Sequence, residues 1–157
     1  MTPHLQAELI RQYPKFFRSP VKRLVDPEPE NQSCAESHLE DDTGPYDEWG
    51  IECGDGWFGL VDRLCQACEA EIDGLIALGV AKERWPRVGQ IKEKTGTLRF
   101  YVTGRVSEVL QEQKAQSERE SRCICEQCGA PGLLRGSRWR KTYCDSCHDA
   151  EVARRRH

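Results

Sequence analysis

Two Cys-x-x-Cys motifs near the C-terminus constrain the fold of this chain more than any other feature. They place Cys125 with Cys128 and Cys144 with Cys147, and fifteen residues separate the two motifs. Zinc favours four ligands in a tetrahedron, and a Cys-x-x-Cys turn directs two sulfurs to one ion. The spacing therefore predicts one zinc ion held by these four cysteines. Because four protein ligands leave no coordination position open, the predicted zinc is structural.

The residues around these cysteines predict a small module made of a knuckle, a hairpin and a helix. The segment GAPGLLRGSRWRKTY, residues 129–143, is long enough for a hairpin that returns to the second motif. The segment 145–156 is typical of a helix that ends in three arginines, where the helix dipole favours cations. This order is that of a treble clef or zinc ribbon. Two alternatives stay open for the ligand set: Cys123 in place of Cys125, and His148 as a competing ligand.

The composition is that of a folded protein of the reducing cytoplasm. The chain has 157 residues, 38% of them hydrophobic and 31% charged, which suffices for one core and a small module. No apolar run approaches the ~18 residues of a membrane span, and the N-terminus lacks the apolar stretch of a signal peptide. We therefore expect no membrane partner. The nine cysteines are then metal ligands and core residues rather than disulfides.

Charge is distributed unevenly along the chain. Residues 1–122 carry a balance of −6, whereas residues 123–157 carry +3. The basic tail predicts a polyanion or an acidic protein surface as its partner. Four thiolates on one divalent zinc would add about −2, which brings the module close to neutral.

Upstream of the module, the patterns predict an α+β core in which helices pack on a β-hairpin. Thr2-Pro3 begins a short helix that ends near Pro14, and Phe16 and Phe17 follow as core residues. A longer helix over 57–78, with Asp55 as its N-cap, is predicted from a stripe at helical spacing. The stripe consists of Val61, Cys65, Cys68, Ile72 and Leu75, and Gly79 is expected to end the helix.

A hairpin over 88–104 is predicted from the turn pair Thr95-Gly96. A two-residue loop pairs Lys94 with Thr97 and Ile91 with Phe100. The face expected to pack on the long helix collects Gly89, Ile91, Leu98, Phe100 and Val102, and the other collects Gln90, Lys92, Lys94, Arg99 and Tyr101. A polar helix follows over 107–121, anchored by Val106, Val109 and Leu110.

These elements predict three regions. Residues 1–106 form the α+β core, residues 107–122 a connecting helix, and residues 123–157 the zinc-binding module. Within the first region, residues 27–48 contain three prolines and eight acidic residues without Lys or Arg, which predicts a solvated acidic loop. The sequence sets no oligomeric state.

The cysteines outside the zinc motifs are predicted to be core residues. Cys65 and Cys68 lie on the apolar stripe of the long helix, where a reduced cysteine behaves as a small hydrophobe. The alternative is a second metal site, built from Cys34, His38, Cys53, Cys65 and Cys68.

The segment ECGDGWFGL raises the question of a catalytic cysteine, because Cys53 comes just before a helix. A nucleophile needs a base, and the upstream histidines, His4 and His38, lie in weak contexts. The favoured interpretation is a tight Gly-Asp-Gly turn that caps the helix and directs Trp57 into the core. We therefore expect no enzyme activity.

Three segments together resemble a family of small, mostly uncharacterised proteins encoded by tailed phages and prophages. They are IECGDGWFGLVDRLC, VGQIKEKTGTLRFYV and CEQCGAPGLLRGSRWRKTYCDSCH, and the resemblance runs from about Trp49 to the C-terminus. Thr95 departs from the bulkier, often aromatic residue of that family. The resemblance implies a phage accessory protein in the cytoplasm of a bacterial host. It implies no reaction.

Two functions follow as hypotheses. The first is a non-catalytic, zinc-stabilised protein that binds a host protein, as an anti-defence or host-takeover factor. The second is a regulator that binds DNA or RNA through basic hairpin faces, with aromatic residues stacking on bases. Its candidate residues are Lys92, Lys94, Arg99, Tyr101, Arg135, Arg138, Trp139, Arg140 and Lys141.

Overall fold

The computed structural model describes residues 1–18, 45–137 and 139–156. Most of the predicted acidic loop, together with Cys34, His38 and Arg138, lies outside these residues. The helices are α1 (Pro3–Gln12), α2 (Pro45–Trp49), α3 (Phe58–Ala77), α4 (Glu108–Ser121) and α5 (Asp145–Arg154). The strands are β1 (Ile51–Glu52), β2 (Arg87–Lys94), β3 (Thr97–Thr103), β4 (Leu133–Arg135) and β5 (Lys141–Tyr143). The predicted α+β class is confirmed.

The predicted hairpin forms strands β2 and β3 of a three-stranded sheet in the order β1-β2-β3, in which β2 is central and β3 is an edge strand. Its register is the predicted one, with Lys94 opposite Thr97 and Ile91 opposite Phe100. Thr95 and Gly96 both have positive φ, 54° and 82°, as a two-residue turn with the twist of a hairpin requires. The short β1 adds in parallel to β2.

One end of the hairpin departs from the prediction. The register shifts between Val88 and Gln90, which is the signature of a β-bulge. The bulge puts Val88 opposite Val102, and Val88 is fully buried. Val88 thus supplies the core side chain at this end, in place of the predicted Gly89.

The long helix α3 begins at Phe58, after a short 3-10 turn over Asp55–Trp57. Asp55 is not its N-cap, because the Asp55 carboxylate accepts a hydrogen bond from the Thr2 backbone N–H at 2.6 Å. Gly79 ends the helix as predicted: its φ is 69°, and the Val80 N–H donates to the Leu75 carbonyl at 2.9 Å. The local sequence therefore determines where the helix ends, whereas a tertiary contact shapes its start.

The helix α4 packs on α3 and covers the edge of β3. Ser107 caps it by accepting the Leu110 N–H, and Ser121 accepts the Leu98 N–H at 2.9 Å. A free N–H of the edge strand is thereby satisfied. Val109 is 69% exposed, so its predicted role as an anchor is wrong. Leu110, predicted as an anchor with it, is buried as expected, because successive residues of a helix point in different directions.

The predicted acidic loop over residues 27–48 is wrong at its C-terminal end, because residues 45–48 lie in α2. The Arg87 guanidinium, almost fully buried, binds the Asp47 carboxylate of α2. This ion pair fixes α2 beside β2.

The hydrophobic core lies between α1, α3, α4 and the sheet. Phe16 and Phe17 belong to it as predicted, and Phe16 stacks on Phe100 with 5.6 Å between ring centroids. Of the predicted stripe of α3, Leu75 is half-buried, and the other four side chains are in the core. In the described part of the chain, no helix is long and apolar enough to cross a membrane.

Candidate metal centre

The four predicted ligands converge. The Sγ atoms of Cys125, Cys128, Cys144 and Cys147 all lie within 4.8 Å of one another. Cys125 and Cys128 come from a knuckle before β4, whereas Cys144 is the N-cap of α5 and Cys147 lies in its first turn. Such a cluster could hold a metal ion. Within the described residues, this group contains neither Cys123 nor His148.

Backbone hydrogen bonds shape the knuckle. The Gly129 N–H donates to the Cys125 carbonyl at 2.9 Å, and the Cys125 N–H donates to the Ala130 carbonyl at 2.7 Å. Gly129 has a φ of 79°, a backbone conformation that residues other than glycine rarely adopt. The glycine after the first Cys-x-x-Cys motif is therefore required by the turn itself.

The thiols differ in acidity. Burial alone would raise the pKa of Cys125, but backbone N–H groups of Cys144, Cys128 and Gln127 donate to its sulfur and bring that pKa down to about 7. Burial and the neighbouring thiols raise the pKa of Cys147 to about 12. Without a cation the cluster favours one thiolate over four, because like charges repel. A bound divalent cation would remove this conflict.

The knuckle rests on the Gly-Asp-Gly turn that precedes α3. The Gly56 N–H donates to the Glu126 carbonyl at 2.8 Å, and the Gly54 N–H donates to the Glu126 carboxylate at 3.1 Å. The Trp57 indole N–H donates to the Ile124 carbonyl at 2.8 Å. A Cβ on Gly56 would lie 2.2 Å from the Cys125 carbonyl oxygen, so no larger residue fits there without a shift.

The second contact joins β4 and β5 to the tip of the β2–β3 hairpin. The Thr142 hydroxyl donates to the Gly96 carbonyl at 2.7 Å and is fully buried. The Lys141 ammonium lies 2.6 Å from the Glu93 carboxylate and 3.1 Å from that of Glu126. The candidate metal centre is thus held against the core on two sides.

Neither docking contact was predicted. The Gly-Asp-Gly turn was predicted to cap the helix and to direct Trp57 into the core, and Lys141 was predicted to be a binding cation. The available signal was the pair of glycines in ECGDGW, since two such residues around one aspartate indicate a close backbone approach.

The predicted binding residues that the structure describes fall into three groups. Three cations are paired with carboxylates: Arg99 with Glu118, Arg135 with Asp145, and Lys141 with Glu93 and Glu126. The Lys92 ammonium lies over the Tyr101 ring, 5.9 Å from its centroid. The side chains of Lys94, Trp139 and Arg140 are exposed.

The remaining described cysteines lie in other surroundings. Cys53, Cys65 and Cys68 are buried in the core. Burial raises the pKa of Cys53 to about 12, the opposite of what a nucleophilic thiol requires. Among residues 1–18, 45–137 and 139–156, only the four C-terminal cysteines form a group suited to a metal.

No protein family, curated protein or solved structure matches this chain. The similarity to small tailed-phage proteins stays a prediction.

Proposed function

We propose that the chain binds one structural zinc ion through Cys125, Cys128, Cys144 and Cys147. The convergence of the four Sγ atoms within 4.8 Å carries this proposal. Zinc–sulfur bonds of about 2.3 Å in a tetrahedron separate two sulfurs by about 3.8 Å. The Cys128 and Cys144 sulfurs stand 3.7 Å apart. An all-thiolate donor set suits zinc and does not suit magnesium or calcium.

Metal analysis of the purified protein tests this proposal. We expect one zinc per chain, and Co²⁺ substitution should give the absorption bands of a tetrahedral thiolate site. Cys128→Ser should lose the metal, whereas Cys123→Ser should keep it because Cys123 is outside the cluster. A zinc content near zero, with no Co²⁺ bands after reconstitution, would reject the assignment.

We further propose that the zinc-stabilised chain acts without catalysis, by binding a protein of a bacterial host. Two observations support a protein partner over a nucleic acid. Three of the predicted cations are already paired with carboxylates of this chain. Large apolar side chains are exposed in the segment between the two C-terminal cysteine motifs, Leu133 at 67% and Trp139 at 73%. Exposed tryptophans are frequent anchors of protein interfaces.

The phage origin of this role rests on the resemblance of the segments around ECGDGW, KEKTGTLRFY and the four cysteines. Under this proposal the protein acts in the bacterial cytoplasm, either during infection or when it is expressed from a prophage. An anti-defence or host-takeover factor would need only a stable binding surface, and a closed structural metal site fits that requirement.

Affinity capture from a bacterial lysate, followed by a binding assay with the isolated partner, tests the protein-binding role. Trp139→Ala should weaken binding about 30-fold, the effect of losing an anchor worth about 2 kcal/mol. Ile76→Ala changes an apolar residue at the end of α3, also exposed, and serves as the matched control. Equal binding by the two variants would exclude Trp139 as the anchor.

Nucleic-acid binding is the second candidate, favoured by the Lys92–Tyr101 contact and by exposed Arg140 and Trp139. Fluorescence anisotropy against duplex DNA, single-stranded DNA and RNA at several salt concentrations tests it. Four to six phosphate contacts on duplex DNA predict a log–log salt slope of about −4 to −5. Lys92→Ala combined with Arg140→Ala should reduce both affinity and slope. Absence of binding at low salt would reject this candidate.

A further inference from the structure

We infer that metal occupancy controls the docking of the C-terminal module on the core, and that Glu126 is the positioning residue that couples the two. Here the module is the set of described residues from Cys123 onward, and the core is the set that precedes it. This inference rests on the proposed metal site and adds a conformational role to it.

The core has the contacts to stay folded by itself. Its buried cluster is formed by side chains between Leu9 and Leu110, and Ile124 is the module residue that packs against it while remaining partly exposed. Apolar burial of this extent is the main stabilising contribution in a domain. Loss of the module would therefore leave the cluster almost intact.

The module lacks such a cluster. Its buried side chains in the described residues are those of Cys125, Glu126 and Thr142, two of them polar. A segment of this size without apolar burial depends on its metal for a defined fold. We therefore expect metal removal to loosen the module before it affects the core.

Glu126 connects the metal cluster to the core directly. It lies in the knuckle between the ligands Cys125 and Cys128, so a bound metal fixes its backbone. Its carbonyl accepts the Gly56 N–H, and its carboxylate accepts the Gly54 N–H and the Lys141 ammonium. Lys141 continues to the Glu93 carboxylate of the core hairpin.

Steric fit makes this docking specific for one knuckle shape. A Cβ on Gly54 would lie 2.2 Å from the Glu126 carbonyl oxygen, and one on Gly56 would lie 2.3 Å from the Gly129 nitrogen. The backbones thus meet without spare room. A knuckle that relaxes after metal loss cannot keep these hydrogen bonds, and the Gly-Asp-Gly turn and the Trp57 indole N–H become accessible to solvent.

Hydrogen exchange followed by NMR tests the inference on the full-length protein, with the zinc content of each sample measured. After zinc removal by a chelator, the amides of Gly54 and Gly56 and the Trp57 indole should exchange at least about 10-fold faster. The Tyr13 amide, bonded to the Leu9 carbonyl in the core, should keep its rate. Unchanged rates at Gly54 and Gly56 in zinc-free protein, or general loss of protection including Tyr13, would overturn the inference.

The outcome for the proposed zinc site is separate, because the metal content is read in the same samples. A protein that holds and accepts no zinc would refute the site itself. A protein that holds one zinc but shows no effect of its removal on the Gly-Asp-Gly turn would refute the coupling alone.

Two substitutions test the role of Glu126. Glu126→Gln should keep one zinc per chain but lower zinc affinity about 10-fold, as loss of an outer contact to a metal site does. It should also speed exchange at Gly54. Lys141→Met should give a similar effect, and the double variant should not be additive, because both act through one network. Gln127→Ala, an exposed neighbour in the same knuckle, is the control; equal zinc affinities for Glu126→Gln and Gln127→Ala would overturn the assignment.

Discussion

Two of the three Cys-x-x-Cys pairs in this chain, Cys65 with Cys68 and Cys125 with Cys128, share a spacing and differ in their surroundings. Cys65 and Cys68 lie in the middle of α3, where both side chains are fully buried among apolar residues. Cys125 and Cys128 lie on a knuckle, and a second pair of thiols stands within 4.8 Å. The first pair packs, and the second pair could hold a metal.

The difference shows what turns this spacing into a metal site. Inside a helix, backbone N–H groups are used by hydrogen bonds to the preceding turn, so none is free to stabilise a thiolate. Burial therefore dominates and raises the pKa of Cys65 well above its ordinary value. At the cysteine cluster, the backbone N–H groups of Cys144, Cys128 and Gln127 donate to the Cys125 sulfur and lower its pKa to about 7 against the effect of burial. The Cys-x-x-Cys spacing alone therefore does not make a metal site; a turn conformation and two further thiols are also needed.

The largest expected effect comes from removing one member of each pair. Cys125→Ser should abolish stoichiometric zinc binding and the ordered fold of the module, because structural zinc contributes about 10–16 kcal/mol to such a site. Cys68→Ala should keep one zinc per chain and lower the free energy of unfolding by about 1–2 kcal/mol through a small cavity. Metal analysis and chemical denaturation measure both. Zinc loss in Cys68→Ala would contradict the conclusion that Cys68 packs in the core and takes no part in metal binding.

Alkaline pH should destabilise the folded protein through the buried thiols of Cys65 and Cys68. Burial raises the pKa of Cys68 from 9.0 to about 12, so the folded protein holds this proton more tightly than the unfolded chain does. The resulting stability is complete below pH 9 and is lost as the pH rises toward about 12. Each titrating thiol contributes about 1.4 kcal/mol per pH unit in that window.

Denaturant unfolding of zinc-saturated wild type and Cys68→Ala between pH 8 and about pH 11 isolates this contribution. The variant should show the shallower decline, since one buried thiol is missing. Parallel curves would mean that Cys68 does not titrate differently in the folded state.

Glycine substitutions sharpen the contrast between knuckle and helix. A Cβ on Gly56 would meet the Cys125 carbonyl oxygen at 2.2 Å, so Gly56→Ala should cost about 3 kcal/mol by overpacking and lower zinc affinity. Thermal unfolding and a competition assay with a chromophoric chelator measure the two effects. Wild-type zinc affinity in this variant would show that the knuckle does not need the turn.

The smallest expected effect is a gain. Gly74 lies within α3 with no atom within 4 Å of an added Cβ, outside the helix itself. Gly74→Ala should therefore stabilise the protein by about 0.5–1 kcal/mol, because alanine loses less conformational entropy in a helix. The melting temperature should rise by a few degrees with zinc binding unchanged. A lowered melting temperature would contradict the open space at this position.

Local patterns predicted much of the fold and the four cysteines that converge. The Thr95-Gly96 turn gave the hairpin register, and Gly79 gave the end of α3, because both depend on backbone conformations that nearby residues decide. The cysteine spacing predicted which thiols converge. Failures came where packing decides: Val109 is exposed, Val88 replaces Gly89, and Asp55 binds Thr2 instead of capping a helix.

The sequence by itself determined the four candidate ligands, because a knuckle and a helix N-terminus bring nearby thiols together by short-range geometry. Only the tertiary structure decided what the knuckle rests on. Gly54 and Glu126 are 72 residues apart, and no local rule pairs them. The same holds for Lys141, whose ammonium pairs with the Glu93 carboxylate of the core hairpin. Contacts of this kind depend on how whole elements pack, since burial and steric fit act over the folded chain rather than along it.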